Sequence, residues 1–335
     1  MASSSTEPSL PKEIRNWLEL PRDVTASILS RLGTIETMKS GQMVCKSWFD
    51  ICKDPLMWRI IDMRNRGDRD LGFDLEKMCR NVVDRSCGQL VDINIEHFGD
   101  DELLQHITAS SSRIKRLRFA CWYYVSDEGL VEAIEKLPLL EELDLTHCKF
   151  SEGFIEALGR SCPHFKTLKL NTQAYKFSDM DPDEEHDFNM DVIAIGKNLP
   201  GLRHLQLIGS WMTNMGLEAI LDGCRNLESL DLRRCLNINL KGSLGKRCAE
   251  QIKLLRLPYD SLKDYGYIAD PDPGFFGEDE DFPFSDHEYF FGDHLELEDD
   301  IYDHYDYAYS SEDFDYDDFT AFNEFVSFKD DYDFF

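Results

Sequence analysis

The chain contains no run of about 18 or more uncharged apolar residues, so the sequence predicts no membrane-spanning helix. Its opening, MASSSTEPSLPKEIRNW, lacks the basic and then apolar blocks of a secretory signal. An Asn-x-Ser/Thr acceptor is absent too, and the expected location is the nucleus and/or the cytoplasm. There is no Cys-x-x-Cys pair, no phosphate-cradling glycine loop, no Gly-x-Ser-x-Gly and no His-Glu-x-x-His. Zinc, nucleotide and hydrolytic chemistry are left without a motif. Ser243 and Lys246 have Ser-x-x-Lys spacing, but the partner motifs of such a dyad are missing. Basic residues are scarce, 36 Lys and Arg against 65 Asp and Glu. Free nucleic acid is therefore not an expected partner, because phosphate binding needs clustered cations. The sequence predicts no catalytic residue, no metal and no cofactor.

What is present is unevenly spread. Residues 270–335 carry 24 of the 65 acidic groups and one of the 36 basic ones, so most of the net charge of -29 belongs to this segment. The same stretch holds 20 of the chain's 35 Phe and Tyr residues. Charge at this density opposes collapse, and residues 263–335 read as a disordered acidic tail that is either a solvated interaction segment or a spacer. Within it, Asp313 to Glu324 places acids at the first, third, fifth and twelfth positions of a calcium loop. Asp318 stands where the sharp turn needs Gly, and no calcium site is expected.

The middle of the chain repeats. Seven segments share the pattern apolar-x-x-apolar-x-apolar, from LVDINI (Leu90, Ile93, Ile95) to IKLLRL (Ile252, Leu255, Leu257). Their middle residues are Ile93, Leu117, Leu143, Leu168, Leu205, Leu230 and Leu255, at intervals of 24, 26, 25, 37, 25 and 25. The alternating end of each unit predicts a short strand with one buried face. Intervening stretches such as GLEAILDGC have helix spacing, and Gly129, Gly153 and Gly216 are read as sharp turns before those helices. One strand and one helix cannot bury their own apolar faces, so the units must stack into a solenoid. Cys87, Cys162 and Cys224 each stand six residues before a middle residue, and Cys148 and Cys235 five after one. Cysteines tied to a repeat phase read as small buried hydrophobes rather than disulfide partners. The long interval contains residues 173–191, an acidic insertion expected as a surface loop, tolerated or contacting a basic partner. These units resemble leucine-rich repeats of the cysteine-containing type.

Upstream, Pro21 suits a first helical turn and Asp23 favours its positive end. Val24, Ile28, Leu29 and Leu32 form a stripe that Gly33 ends. A short second helix follows, capped by Thr34, and then the apolar knot VCKSWFDICKDPLMW, Val44 to Trp58. Three short helices cannot shelter so many large side chains, so they either pack on the solenoid or offer a face to another protein. LPRDVTASILSRL followed by VCKSWFDICKDPLMW resembles an F-box, over about residues 17–63, and the whole resembles the plant F-box/leucine-rich-repeat proteins. Cys45 sits where many relatives carry Arg.

The resemblance implies an α/β chain: a flexible segment 1–16, a three-helix F-box at 17–63, a solenoid at 64–262 and the acidic tail at 263–335. It implies docking to the Skp adaptor of a cullin–RING ubiquitin ligase through Leu20, Pro21, Val24, Ile28, Leu29, Leu32, Val44, Cys45 and Trp48. The implied role is delivery of a target protein, with catalysis left to partner enzymes. A repeat scaffold without a ligase role is the alternative. Polar residues between buried leucines should point outward on the concave strand face: Asn94, Arg118, Asp144, Lys169, Gln206, Asp231 and Arg256. These, with Trp122, Tyr123 and Trp211 just beyond strand ends, are the expected target contacts.

Overall fold

The computed structural model describes residues 20–65, 74–121, 124–148, 150–172 and 188–265. The segments 1–16 and 266–335, the calcium-loop-like stretch, most of the insertion, and Trp122 and Tyr123 lie outside the described residues. The chain divides into two compact units, Met1–Asp260 and Ser261–Phe335, and only residues 261–265 of the second are described.

The first unit is built on one parallel sheet whose strands follow chain order: β1 (Ile60–Met63), β2 (Asp92–Glu96), β3 (Arg116–Ala120), β4 (Glu142–Thr146), β5 (Thr167–Asn171), β6 (His204–Gln206), β7 (Ser229–Asp231) and β8 (Leu254–Arg256). Pairing register keeps the repeat phase intact, with Ile61, Ile93, Leu117, Leu143, Leu168, Leu205, Leu230 and Leu255 opposite one another across the sheet. Parallel neighbours need a crossover, and each is a helix: α4 (Leu75–Arg85), α5 (Asp101–Ser110), α6 (Asp127–Glu135), α7 (Glu152–Ser161), α8 (Met190–Asn198), α9 (Asn214–Gly223) and α10 (Ser243–Gln251). Their inward stripes, for example Leu103, Leu104 and Ile107 or Leu217, Ile220 and Leu221, meet the strand leucines in one continuous core.

β1 adds a unit before the seven read from the sequence. Trp58, Ile61 and Met63 have the same spacing and are buried, but the 32-residue interval to Ile93 breaks the period. Gly129, Gly153 and Gly216 lie inside the first turns of α6, α7 and α9 rather than in turns before them. At Gly129 and Gly216 the reason is space, since a Cβ would strike Asp101 or Asn189 of the preceding unit. Those acceptors pin successive helices together. Asp101 accepts from the Ser126 amide (2.9 Å) and hydroxyl (2.7 Å), and Asp127 accepts from the Ser151 amide (2.7 Å) and hydroxyl (2.6 Å). α8 begins at Met190, inside the stretch read as a loop. Among the described residues no helix is long and apolar enough to cross a membrane.

Three N-terminal helices precede the sheet: α1 (Arg22–Leu32), α2 (Thr34–Lys39) and α3 (Lys46–Cys52), with 3-10 turns at Gly41–Met43 and Pro55–Trp58. Pro21 caps α1 from outside, and Gly33, at φ 84°, ends it in a conformation open to glycine. Thr34 does not cap α2. Its Oγ1 instead accepts the Asp62 amide at 2.9 Å, filling the open edge of β1. Arg85 of α4 donates to Gln42 Oε1 at 3.0 Å. Leu29, Met38, Ile51, Cys52 and Trp58 belong to the same core as Ile61, Met78, Val82 and Val83. The helices are thus fused to the solenoid and form its first layer.

Candidate functional site

Fusion does not cover everything. The inward side of α1 holds Thr25 and Leu29, one turn apart. The other side leaves Val24 41% and Leu32 45% exposed, with Ile28 half-buried between them. Met43 and Val44, on the turn after α2, are 47% and 61% exposed. Leu32 lies against this turn, its Cδ1 3.7 Å from where a Cβ on Gly41 would stand. Pro21 is exposed, and Leu20, Cys45 and Trp48 are half-buried, Trp48 packing on the core. Leu29 corrects an expectation: at 0% exposure it lies beneath Gly41 and cannot be a contact residue. Met43 escaped the sequence reading, although QMV places it beside Val44. Leu56, also exposed, lies beyond the helix expected to end at Asp54-Pro55, in a 3-10 turn, Pro55–Trp58.

The strand row is in register, Asn94, Arg118, Asp144, Lys169, Gln206, Asp231 and Arg256 standing opposite one another in sequence. Strands about 4.8 Å apart bring these side chains within reach of one another, and much of the row is consumed internally. Lys169 Nζ pairs with Glu142 at 2.7 Å and lies 3.7 Å from Asp144, which also accepts from Thr146 Oγ1 at 3.0 Å. Asp231 is buried in a two-pronged pair with Arg233, at 2.9 and 2.7 Å. Asp144 and Asp231 are therefore corrected from outward contacts to buried members of the sheet's polar network. Arg118 is half-buried between Asp92 (3.5 Å) and Glu142 (3.9 Å), and Gln206 donates to Asn171 at 3.0 Å. Arg256 is exposed. Trp211 is half-buried, its ring tilted by 59° against Phe188 at 5.3 Å between centroids, and its carbonyl accepts from Asn237, which makes it a packing residue.

Residues 17–64 match the F-box-like family model. Across 95% of this chain and 99% of the relative, the sequence is 46% identical to the F-box protein SKIP19 of Arabidopsis thaliana. It is 50% identical to the putative F-box/LRR-repeat protein 23 of the same plant, over 77% of this chain, and spans 57% of that relative's length. The chain belongs to the plant F-box/leucine-rich-repeat family. The F-box is the three-helix layer, and its exposed apolar face lies on the side that the leucine-rich repeats do not cover.

In this F-box/leucine-rich-repeat chain, burial holds several thiols in their protonated form. Burial pushes Cys79 and Cys162 up to about 12 and Cys52 and Cys224 up to about 11. Cys162 and Cys224 each reach a carbonyl of the preceding repeat, Leu137 and Leu199, at 3.5 Å. Cys87 has the same phase but is exposed: it stands at φ 45°, one residue beyond the C-cap of α4, where Cys162 and Cys224 are themselves C-caps. Among the described residues no group of three or more His, Cys, Asp or Glu could hold a metal ion.

Proposed function

We propose that the chain is the substrate-recognition subunit of an SCF-type ubiquitin ligase, docking to the Skp adaptor through the F-box and holding a target protein on the repeats. The observation that carries this is the apolar face of Val24, Leu32, Met43 and Val44, which stays uncovered although Leu29, Met38, Ile51, Cys52 and Trp58 of the F-box are sunk in the solenoid core. An apolar patch on a rigid helical layer is the surface an adaptor helix or loop can cover. Leu20, Pro21, Ile28, Cys45 and Trp48 border it. Fusion of the F-box to β1 fixes the strand face relative to the docked ligase, so a bound target stays near the conjugating enzyme at an effective concentration on the order of mM. In this reading the chain supplies no acid, base or nucleophile, and partner enzymes carry out the transfer.

Reconstitution tests the proposal. With adaptor, cullin–RING core, activating and conjugating enzymes present, the wild-type chain is expected to acquire ubiquitin on its own exposed lysines. Leu32→Asp/Val44→Asp should lower that rate by about tenfold or more, since each change puts a charge into the docking face. Equal modification of the two proteins would refute docking through this face.

A further inference from the structure

Lys115, Glu141, Lys166, Arg203, Glu228 and Lys253 stand immediately before strands β3 to β8, one to each strand. A backbone ladder joins them into one row, each amide donating to the carbonyl of the preceding member at 2.7–3.1 Å. Along the row the charges read plus, minus, plus, plus, minus, plus. Each carboxylate is shared: Glu141 takes Lys115 at 2.7 Å and Lys166 at 3.4 Å, and Glu228 takes Arg203 at 3.2 Å and Lys253 at 3.6 Å. The glutamate side chains are recessed, 34% and 36% exposed, while those of the four cations protrude, 48–75% exposed. At the middle of the row Lys166 and Arg203 are neighbours with no carboxylate between them, and the residues after them, Thr167 and His204, stand opposite one another and bring none. Within strands β2 to β5, by contrast, Arg116, Arg118 and Lys169 are matched by Asp92, Glu142 and Asp144. An excess of positive charge thus stands on the entry edge of the sheet, in a chain whose net charge is -29.

Like charges on neighbouring strands repel, and an anion laid against them relieves the repulsion. With strands about 4.8 Å apart, the row runs about 24 Å from Lys115 to Lys253, the length of about seven residues of extended chain. A nucleic acid strand, with a phosphate at every step, would have to lay charge over Glu141 and Glu228. A peptide can set carboxylates at the cations and neutral side chains opposite the glutamates. We propose that this row is the docking edge for an acidic, extended segment of the target protein, with carboxylates at Lys166 and Arg203. This rests on the reading of the repeats as a target-binding surface, and it gives that surface a chemical preference. Charges this exposed are screened by salt and act chiefly in encounter and in the choice between partners.

The test uses the full chain and a phage-displayed library of random 12-residue peptides. Enriched peptides should share acidic residues, and fluorescence anisotropy of the synthetic peptides should show binding that weakens as salt is raised. Lys166→Gln/Arg203→Gln, at two exposed positions, should weaken binding about 3- to 30-fold. Arg160→Gln/Lys197→Gln removes the same charge from helices α7 and α8, where these residues pair with Glu135 and Glu156, and should change binding less than about twofold. The row is overturned if the enriched peptides share no acidic residues, or if the two double variants weaken binding equally. In either case a loss on Arg118→Ala or Arg256→Ala leaves the repeats standing as a target-binding surface, and no loss on either refutes that reading too. Failure to enrich any peptide refutes both. Carbodiimide cross-links from Lys115, Lys166 or Lys253 to residues 270–335 in the free chain would give the row to the chain's own acidic segment. Tighter binding of a single-stranded oligonucleotide than of the peptides would give it to nucleic acid. Either result overturns the proposal.

Discussion

Thr34→Val tests how the F-box and the repeats are joined. Thr34 is buried, and its Oγ1 accepts the Asp62 amide at 2.9 Å. β1 is a sheet edge, so this hydroxyl replaces the missing ladder partner on its outer side. Valine preserves the shape and removes the acceptor, leaving a buried N–H unsatisfied. That costs about 1–3 kcal/mol, partly offset by the added methyl, so about 1–2 kcal/mol remains. In a stacked array the loss stays near the end where it is made, because each unit contacts only its neighbours. The assay is amide hydrogen exchange on the native protein. The Asp62 amide should exchange about 5- to 30-fold faster, while amides of β4 and β5 keep their protection. Unchanged exchange at Asp62, or equal acceleration in every strand, would refute the claim that Thr34 seals the edge.

Other substitutions separate core from surface. Leu29→Ala removes a fully buried side chain and should cost about 2–5 kcal/mol in chemical denaturation, with little change in adaptor affinity while the F-box remains folded. Gly223→Ala puts a methyl into the Gly196 carbonyl where α8 and α9 meet; calorimetry should show about 1–3 kcal/mol of destabilisation from overpacking. Burial, followed by Glu152 and Asp127, pushes Asp191 up to about 6 from 3.8. An acid raised in the folded state binds more protons there than in the unfolded chain, so stability falls as pH rises from about 4 to about 6. Asp191→Asn should flatten that part of the profile and stabilise the protein at pH 7 by at most about 3 kcal/mol, as read from denaturation midpoints across pH.

The solenoid was legible because its information is periodic. A leucine recurring at about 25 residues, outside the one long interval, fixes strand, face and register together, and the register keeps those leucines opposite one another. β1 was hidden because the F-box sequence runs into it, so Trp58, Ile61 and Met63 read as the end of one module rather than the start of the next. The stripe on α1 was legible as a stripe, yet 3.6-residue spacing does not say which of its members face a partner. Leu29 and Leu32 differ by less than one turn, and one is sealed beneath Gly41 while the other is nearly half exposed. The strand row was read as outward because alternation gives direction only. Whether Asp144 meets solvent depends on Lys169, which pairing register alone brings beside it, whereas Asp231 is closed off by Arg233, two residues further along the chain.

The central claim is that the uncovered face of the F-box is an adaptor-docking surface, and calorimetric titration of purified Skp adaptor into the full chain tests it most directly. Leu32→Asp/Val44→Asp removes two side chains about half exposed in the free chain, each contributing on the order of 1 kcal/mol when its remaining half is covered, and adds charge that docking would desolvate. Affinity should fall by at least about 100-fold with the thermal midpoint unchanged. An affinity within about threefold of wild type, with the fold intact, would contradict the account.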